Sequence, residues 1–329
     1  MNGPRRTAVA CFGEALIDFL ATPAAGDAPR QFACNAGGAP ANVAVGIARL
    51  GGDARFVGML AKDMFGDFLL AQLRQHGVDT TGVRRTDAAP TALAFVSLAA
   101  DGERSFSFYR PPAADLLFRE QDFEPGMFGG IAVFHACSNS LTEPAIAAAT
   151  LHGMRAAAAA GALASFDMNL RPALWSRDAD PLPLVWQALE LAHLVKLSRE
   201  ELGVLARDTG EDAVMARLLA GTTHAVLVTD GAAPIRWWTR ESAGTAATFG
   251  VEAIDTTAAG DAFVAGLLQC LAARGIGADD LGTAFTAADS REDLLRNAAA
   301  AGALASTRFG AFAAMPAAAE VRALLEESP

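Results

Sequence analysis

Seven residues, Asp255-Thr256-Thr257-Ala258-Ala259-Gly260-Asp261, run directly into the apolar helical stretch 262–273, which ends at Arg274-Gly275. Side chains this small at a helix start let an anion approach N–H groups that have no partner inside the helix, and the helix dipole favours negative charge there. The segment therefore reads as an anion hole. Asp261 falls beside it in the first turn, where a carboxylate can take a proton from a hydroxyl attacking phosphorus. Phosphoryl transfer needs both parts: Asp261 as base, and the N–H groups of Ala258, Ala259 and Gly260 to hold the charge that develops on the phosphoryl oxygens. The competing account is an acid that only complements the helix dipole.

Four further groups join this one. Gly37-Gly38-Ala39-Pro40-Ala41-Asn42 opens a helix whose apolar face is Val43, Ile47 and Leu50, closed by Gly51; its glycines admit a ligand to the backbone, and the Asn42 amide offers donor and acceptor to hydroxyls. Asp18 is an acid at the end of the apolar run 13–18, so it needs ligand hydroxyls or a structural hydrogen bond. Asn169 and Arg171 follow a strand ending at Asp167, at the sheet edge where ligands of open α/β folds bind, and Arg110 follows the aromatic run 106–109; surface salt bridges are the alternative for both arginines. Ser198-Arg199-Glu200-Glu201 is a capping box at a strand-to-helix junction. His135 reads as a satisfied histidine at a strand end. Neither a G-x-x-x-x-G-K-[ST] loop nor a G-x-G-x-x-G turn is present, which excludes P-loop kinases and nicotinamide dehydrogenases and leaves 258–261 as the phosphate site.

Positioning these groups calls for a parallel sheet. Apolar strands at 131–135, 163–167, 194–197 and 225–229 alternate with helices at 142–160, 198–206 and 212–220, the pattern of βαβ units in a doubly wound, mostly parallel α/β sheet flanked by helices. The first third differs: 91–99 and 105–109 alternate like strands joined across Asp101-Gly102, a hairpin signal. With a segment near 18–35, the region near 88–112 is expected to form a small β-sheet lid inserted in a single domain spanning 1–329.

Net charge −11 and a pI near 4.9 repel a phosphate backbone, which excludes nucleic acid as a partner. Four scattered cysteines without a CxxC pair point to a reduced, cytoplasmic protein. Glu14 and Asp18 break up the apolar stretch behind Arg5 and Arg6, which argues against an export signal. The apolar window 145–164 contains His152, Arg155 and Gly161, so no membrane span is expected.

Asp255 to Asp261 followed by Ala-Phe-Val-Ala-Gly is similar to the C-terminal signature of PfkB (ribokinase-like) carbohydrate kinases, and 37–44 with Leu50-Gly51-Gly52 resembles their N-terminal signature. The likeness runs from Phe12-Gly13-Glu14 to 307–311. Stretches 106–115 and 167–175 are most similar to fructokinases. The resemblance implies a ribokinase-like fold, ATP and Mg²⁺ as cofactors, and Asp261 as catalytic base. It further implies sugar contacts from Asp18, Gly37, Gly38, Asn42, Tyr109, Arg110, Asn169 and Arg171. Nucleotide contacts would come from Lys196, Ser198, Glu201, Thr229 and Gly231, with Glu201 reaching Mg²⁺ through water and Asp255, Thr257 and Gly310 near a monovalent cation, K⁺. The expected reaction is ATP-dependent phosphorylation of fructose at O6 by a homodimer. The alternatives are a 2-keto-3-deoxygluconate kinase and a non-catalytic sugar-binding regulator. Departures are Ala258, where most members carry glycine, Ser198 for asparagine, Pro234 for a second glycine, and 61–66, where a Gly-Asp-Asp-x-Phe-Gly pattern is usual.

Overall fold

The computed structural model describes residues 6–21, 29, 31–98 and 104–327. In chain order the first half contains β1 (Ala8–Phe12), β2 (Leu16–Ala21), β3 (Phe32–Gly37), α1 (Ala39–Arg49), β4 (Ala54–Ala61), α2 (Met64–Gln75), β5 (Val83–Thr86), β6 (Leu93–Leu98), β7 (Arg104–Tyr109), β8 (Ile131–Cys137) and α3 (Pro144–Ala159). The second half contains β9 (Leu163–Asp167), α4 (Leu182–Leu189), β10 (Leu194–Ser198), α5 (Arg199–Ala206), α6 (Glu211–Ala220), β11 (Ala225–Asp230), β12 (Ala233–Trp238), β13 (Ala243–Ala246), α7 (Ala259–Arg274), α8 (Ala278–Thr286), α9 (Ala288–Ser306) and α10 (Ala318–Glu327).

Nine strands form one sheet in the order β13-β12-β11-β10-β9-β8-β1-β4-β5. From β11 to β5 every neighbour is parallel, while β12 and β13 finish one edge antiparallel. Both faces are covered, so the central strands are buried on both sides and their sequences are apolar almost throughout. β1 shows the division: Val9 and Cys11 join the core under α1, α7 and α9, while Ala8, Ala10 and Phe12 join the core under α3 and α4. The chain leaves β1 toward β4 on one side and β8 on the other, so the crevice beyond their carboxyl ends is where a ligand of such a sheet is held.

Four strands, β3-β2-β6-β7, make a separate sheet, with β2 and β6 parallel and the outer pairs antiparallel. These are the strands that the alternation at 91–99 and 105–109 predicts; the Asp101-Gly102 turn lies outside the described residues. Among the described residues no single helix is long and apolar enough to cross a membrane; α7 and α8 pass such a test only as a pair bent by 106°.

α1 and α7 approach closely because Gly46, one turn on from Asn42, faces Ala265, one turn on from Asp261. A Cβ on Gly46 would stand 2.6 Å from the Ala265 methyl. That contact brings the first turns of the two helices together.

Candidate active site

Asp261 sits in the first turn of α7 and is buried. Its two carboxylate oxygens are shared between two amides: Oδ2 accepts from Asn42 Nδ2 at 2.8 Å and Oδ1 from Asn169 Nδ2 at 3.1 Å. Asn42 arrives on α1. Asn169 arrives from the turn after β9 in a left-handed conformation, φ 38°, which asparagine tolerates better than most residues. Both asparagine Oδ1 atoms are buried and without a partner among the described residues, so each amide keeps an unused acceptor. Burial raises the Asp261 pKa; the Asn42 amide, Arg171, Lys196 and the Asn169 amide pull it back only in part, and it stays above the ordinary carboxylate value. The result is an oriented acid of enhanced basicity.

The turn expected to form the anion hole has a left-handed residue at its centre. Ala258, the residue before α7, is left-handed at φ 58° and ψ 9°, a conformation that costs a side-chain-bearing residue about 1–2 kcal/mol. It starts the helix at Ala259, three residues before the apolar run begins. The Ala259 N–H donates to the Thr256 carbonyl at 3.2 Å, so Ala259 is not free for a ligand in this arrangement. Asp255 braces the turn: its Oδ1 accepts from the Thr257 N–H at 2.7 Å and its Oδ2 from the Gly310 N–H at 3.2 Å, joining two loops.

A cavity of about 360 Å³ opens at this turn, lined by Asn169, Arg171, Lys196, Glu201, Ala258 and Asp261 among others. Lys196 on β10 lies opposite Asp167 on β9 in register, and its Nζ pairs with Asp167 Oδ2 at 3.1 Å. Burial works to lower the Lys196 pKa, but Asp167, Glu201 and Asp261 hold it above its ordinary value, so the ammonium is charged. It stands at Gly260, 3.2 Å from where a Cβ would be, and so places a cation against the first turn of α7. Ser198 and Glu201 form the predicted capping box on α5. Both Glu201 oxygens accept from backbone N–H groups, Oε1 from Leu170 at 2.8 Å and Oε2 from Ser198 at 2.7 Å, which also fixes the 169–171 turn to α5.

Asp18 on β2 is half-buried and faces the same region. Gly37 on the paired strand leaves room for it, since a Cβ there would collide with Asp18 Oδ2. Burial and the neighbouring acids Asp261, Asp255 and Glu14 push Asp18 up to about 7. Gly38 precedes α1 at φ 108°. Thr229 lies across from Ser198 in the β10–β11 register, and Gly231 occupies the turn after β11 at φ 53°.

Two expected sugar contacts are not brought to the site. Tyr109 pairs with Leu93 across the small sheet and Leu93 with Ile17, so alternation puts Tyr109 on the face opposite Asp18, where its ring packs 5.5 Å from Phe95. Arg110 is buried; Nε and NH2 both donate to Asp115 Oδ2, at 2.8 and 2.6 Å, and NH1 donates to the Asn139 carbonyl at 2.6 Å. His135 is a core residue with Nδ1 3.1 Å from Ser165 Oγ, kept neutral by burial, which pushes it down to about 3. The sequence reading gives no role to Asp167 or Glu14. Asp167 had a signal: an acid ending one strand beside a strand that carries Lys196, one of two lysines in the chain.

Comparison with known proteins agrees with this geometry. A family model described as pfkB family carbohydrate kinase matches residues 6–318. Fructokinase-1 of Zea mays is 41% identical over 327 residues, 98% of this chain and 99% of its own. A fructokinase structure from Xylella fastidiosa with bound ATP superposes with a TM-score of 0.93 at 52% identity, covering 97% of this chain and 98% of that one. A fructokinase from Vibrio cholerae O395, solved with fructose, ADP and calcium, gives 0.84 at 31% identity, with coverage of 97% and 99%. With a buried acid oriented at a helix start beside a cavity and a lysine, and a family match over nearly its whole length, the chain belongs to the PfkB family of carbohydrate kinases.

Proposed function

We propose that the protein transfers the γ-phosphoryl group of ATP to O6 of fructose, giving fructose 6-phosphate and ADP. The observation that carries this reading is the Asp261 carboxylate held by Asn42 and Asn169 at the mouth of the α7 cavity. Asp261 takes the proton of the attacking hydroxyl, the sugar oxygen bonds to phosphorus as the bond to the ADP oxygen breaks, and the proton then leaves Asp261 for solvent. Asn42 and Asn169 hold the carboxylate in line. Their Oδ1 atoms and Asp18 accept from sugar hydroxyls, and Lys196 with the N–H groups of Ala258 and Gly260 faces the phosphoryl oxygens.

Mg²⁺ bound to the nucleotide neutralises phosphate charge. No group of three or more His, Cys, Asp or Glu suited to a metal is found among the described residues, and Glu201 spends both oxygens on backbone donors, so its role toward Mg²⁺ is through water. Asp255 brings the 255–257 and 310 loops together, which supports a monovalent cation there. The small sheet serves as a lid within one kinase domain. Its aromatic row ends in the exposed Phe32 and Tyr109, which supports a homodimer formed through the lid. All four cysteines are free, in keeping with a cytoplasmic protein.

Of the two arginines that a sugar acid would need, Arg110 is sealed against Asp115 and only Arg171 lines the cavity, which favours a neutral ketohexose over 2-keto-3-deoxygluconate. A coupled ADP-release assay over a sugar panel tests the reading: fructose gives the highest kcat/KM. If no sugar in the panel supports ADP release, a non-catalytic sugar-binding regulator becomes the better description.

A further inference from the structure

The chain passes between the nine-stranded sheet and the small sheet at 13–15, at Gly38, at 87–92 and at 110–113. One buried network ties these crossings. Glu14 Oε1 accepts from the Ala39 N–H at 3.1 Å and from Asn139 Nδ2 at 3.0 Å. The Asn139 carbonyl accepts from Arg110, and Arg110 is clamped on Asp115. The Ala114 N–H donates to the Pro90 carbonyl at 2.9 Å, which adds the crossing before β6. Glu14 is 1% exposed, Arg110 2%, Asp115 4% and Asn139 5%, so this is a desolvated set of two acids and one guanidinium.

A buried charged set of this kind contributes little net stability compared with apolar packing, and its effect is to specify one geometry. The geometry it specifies here includes the base. Ala39 is the first residue of α1, and Asn42, whose amide holds Asp261, lies in the same turn. Glu14 thus touches the start of the helix that orients the base and, through Asn139 and Arg110, the end of the lid strand β7.

We propose that Glu14 is a positioning residue that couples the small sheet to the first turn of α1, so that one buried carboxylate sets both the lid and the Asn42 amide on Asp261. The proposal deepens the kinase reading, on which its kinetic arm rests. Its exchange arm needs no sugar and is judged separately.

Glu14→Gln keeps the side chain's size and the Oε1 acceptor used by Ala39 and Asn139, and removes only the charge that faces Arg110. Amide hydrogen exchange on the ligand-free variant is expected to quicken by about tenfold in β2, β7 and the first turn of α1 together, with β9, β10 and β11 unchanged. In turnover, kcat falls by about tenfold to a hundredfold and the KM for fructose rises, while the KM for ATP stays within about twofold. If Glu14→Gln fails to fold, Glu14→Asp, which retains the charge but is too short to reach both partners, is expected to give the same pattern. Exchange that quickens only at 13–15, or evenly across the nine-stranded sheet, overturns the coupling. So does a Glu14→Asp variant, which cannot reach both Ala39 and Asn139, whose kcat and two KM values match the wild type. A wild type inactive on fructose would count against the proposed substrate and leave the exchange result to decide the coupling.

Discussion

The two sides of the site differ in how completely the protein satisfies its own polar groups. On the α7 side, each Asp261 oxygen has an amide, Lys196 pairs with Asp167 Oδ2, and Glu201 has two backbone donors; the exception is Asp167 itself, whose Oδ1 has no partner among the described residues and whose pKa burial pushes up to about 7. On the small-sheet side, Asp18 stands among Asp261, Asp255 and Glu14 with its pKa pushed to about 7, and where α1 and the turn after β9 meet Asp261 the Asn42 and Asn169 oxygens have no partner among the described residues. The contrast separates two tasks. The groups proposed to act on the phosphoryl group are held in place before any ligand arrives, as electrostatic preorganisation requires. Those that choose the acceptor are left for hydroxyls to complete, because a buried acceptor without a donor is costly and rejects a ligand that cannot supply one.

If that division is right, changes on the α7 side act on turnover and leave binding alone. Asp261→Asn carries the largest effect: kcat falls by about a hundredfold to ten-thousandfold, while fructose and ATP affinities measured by calorimetry stay near wild type. The acid limb of the wild-type pH profile lies above the usual carboxylate range, since burial raises Asp261; the base works above its raised pKa and activity is lost as pH falls through it. A near-normal kcat in the asparagine variant would erase the distinction between the two sides. Ala258→Gly is the smallest effect and tests the anion hole alone. Releasing the left-handed alanine returns about 1–2 kcal/mol, offset by about 0.4–1 kcal/mol of unfolded-state entropy. A slightly higher Tm with undiminished turnover is expected, and loss of activity would show that the 258–260 backbone is set some other way.

The helix start that carries the proposed phosphoryl-transfer groups is legible in the sequence because it is local. Small residues, an acid and an apolar helical run within about 20 residues announce a helix start suited to an anion. The parallel strands at 131–137, 163–167, 194–198 and 225–230 were legible because a sheet covered on both faces needs apolar runs. What depends on distant contacts was not. Asn42 and Asp261 meet across 219 residues, and the glycine that lets their helices touch, Gly46, reads in sequence as an ordinary small residue in a helix. Arg110 and Tyr109 were expected at the ligand by resemblance. Arg110 is instead taken up by Asp115 five positions on, and Tyr109 follows the strand's alternation to the other face. β12 and β13 escaped notice because Pro234, Gly244 and scattered polar residues hide the alternation of an edge hairpin.

The claim that matters most is that the open side of the site is completed by a neutral sugar. It is tested by kcat/KM for fructose and for 2-keto-3-deoxygluconate on wild type and on Arg171→Ala. The account predicts a wild-type preference for fructose and a loss of about 1–3 kcal/mol in kcat/KM for fructose in the variant, since Arg171 lines the cavity and pulls down the Asp261 pKa without having to neutralise a ligand charge. A wild-type preference for the acid, with a larger loss in the variant confined to the acid, would contradict it.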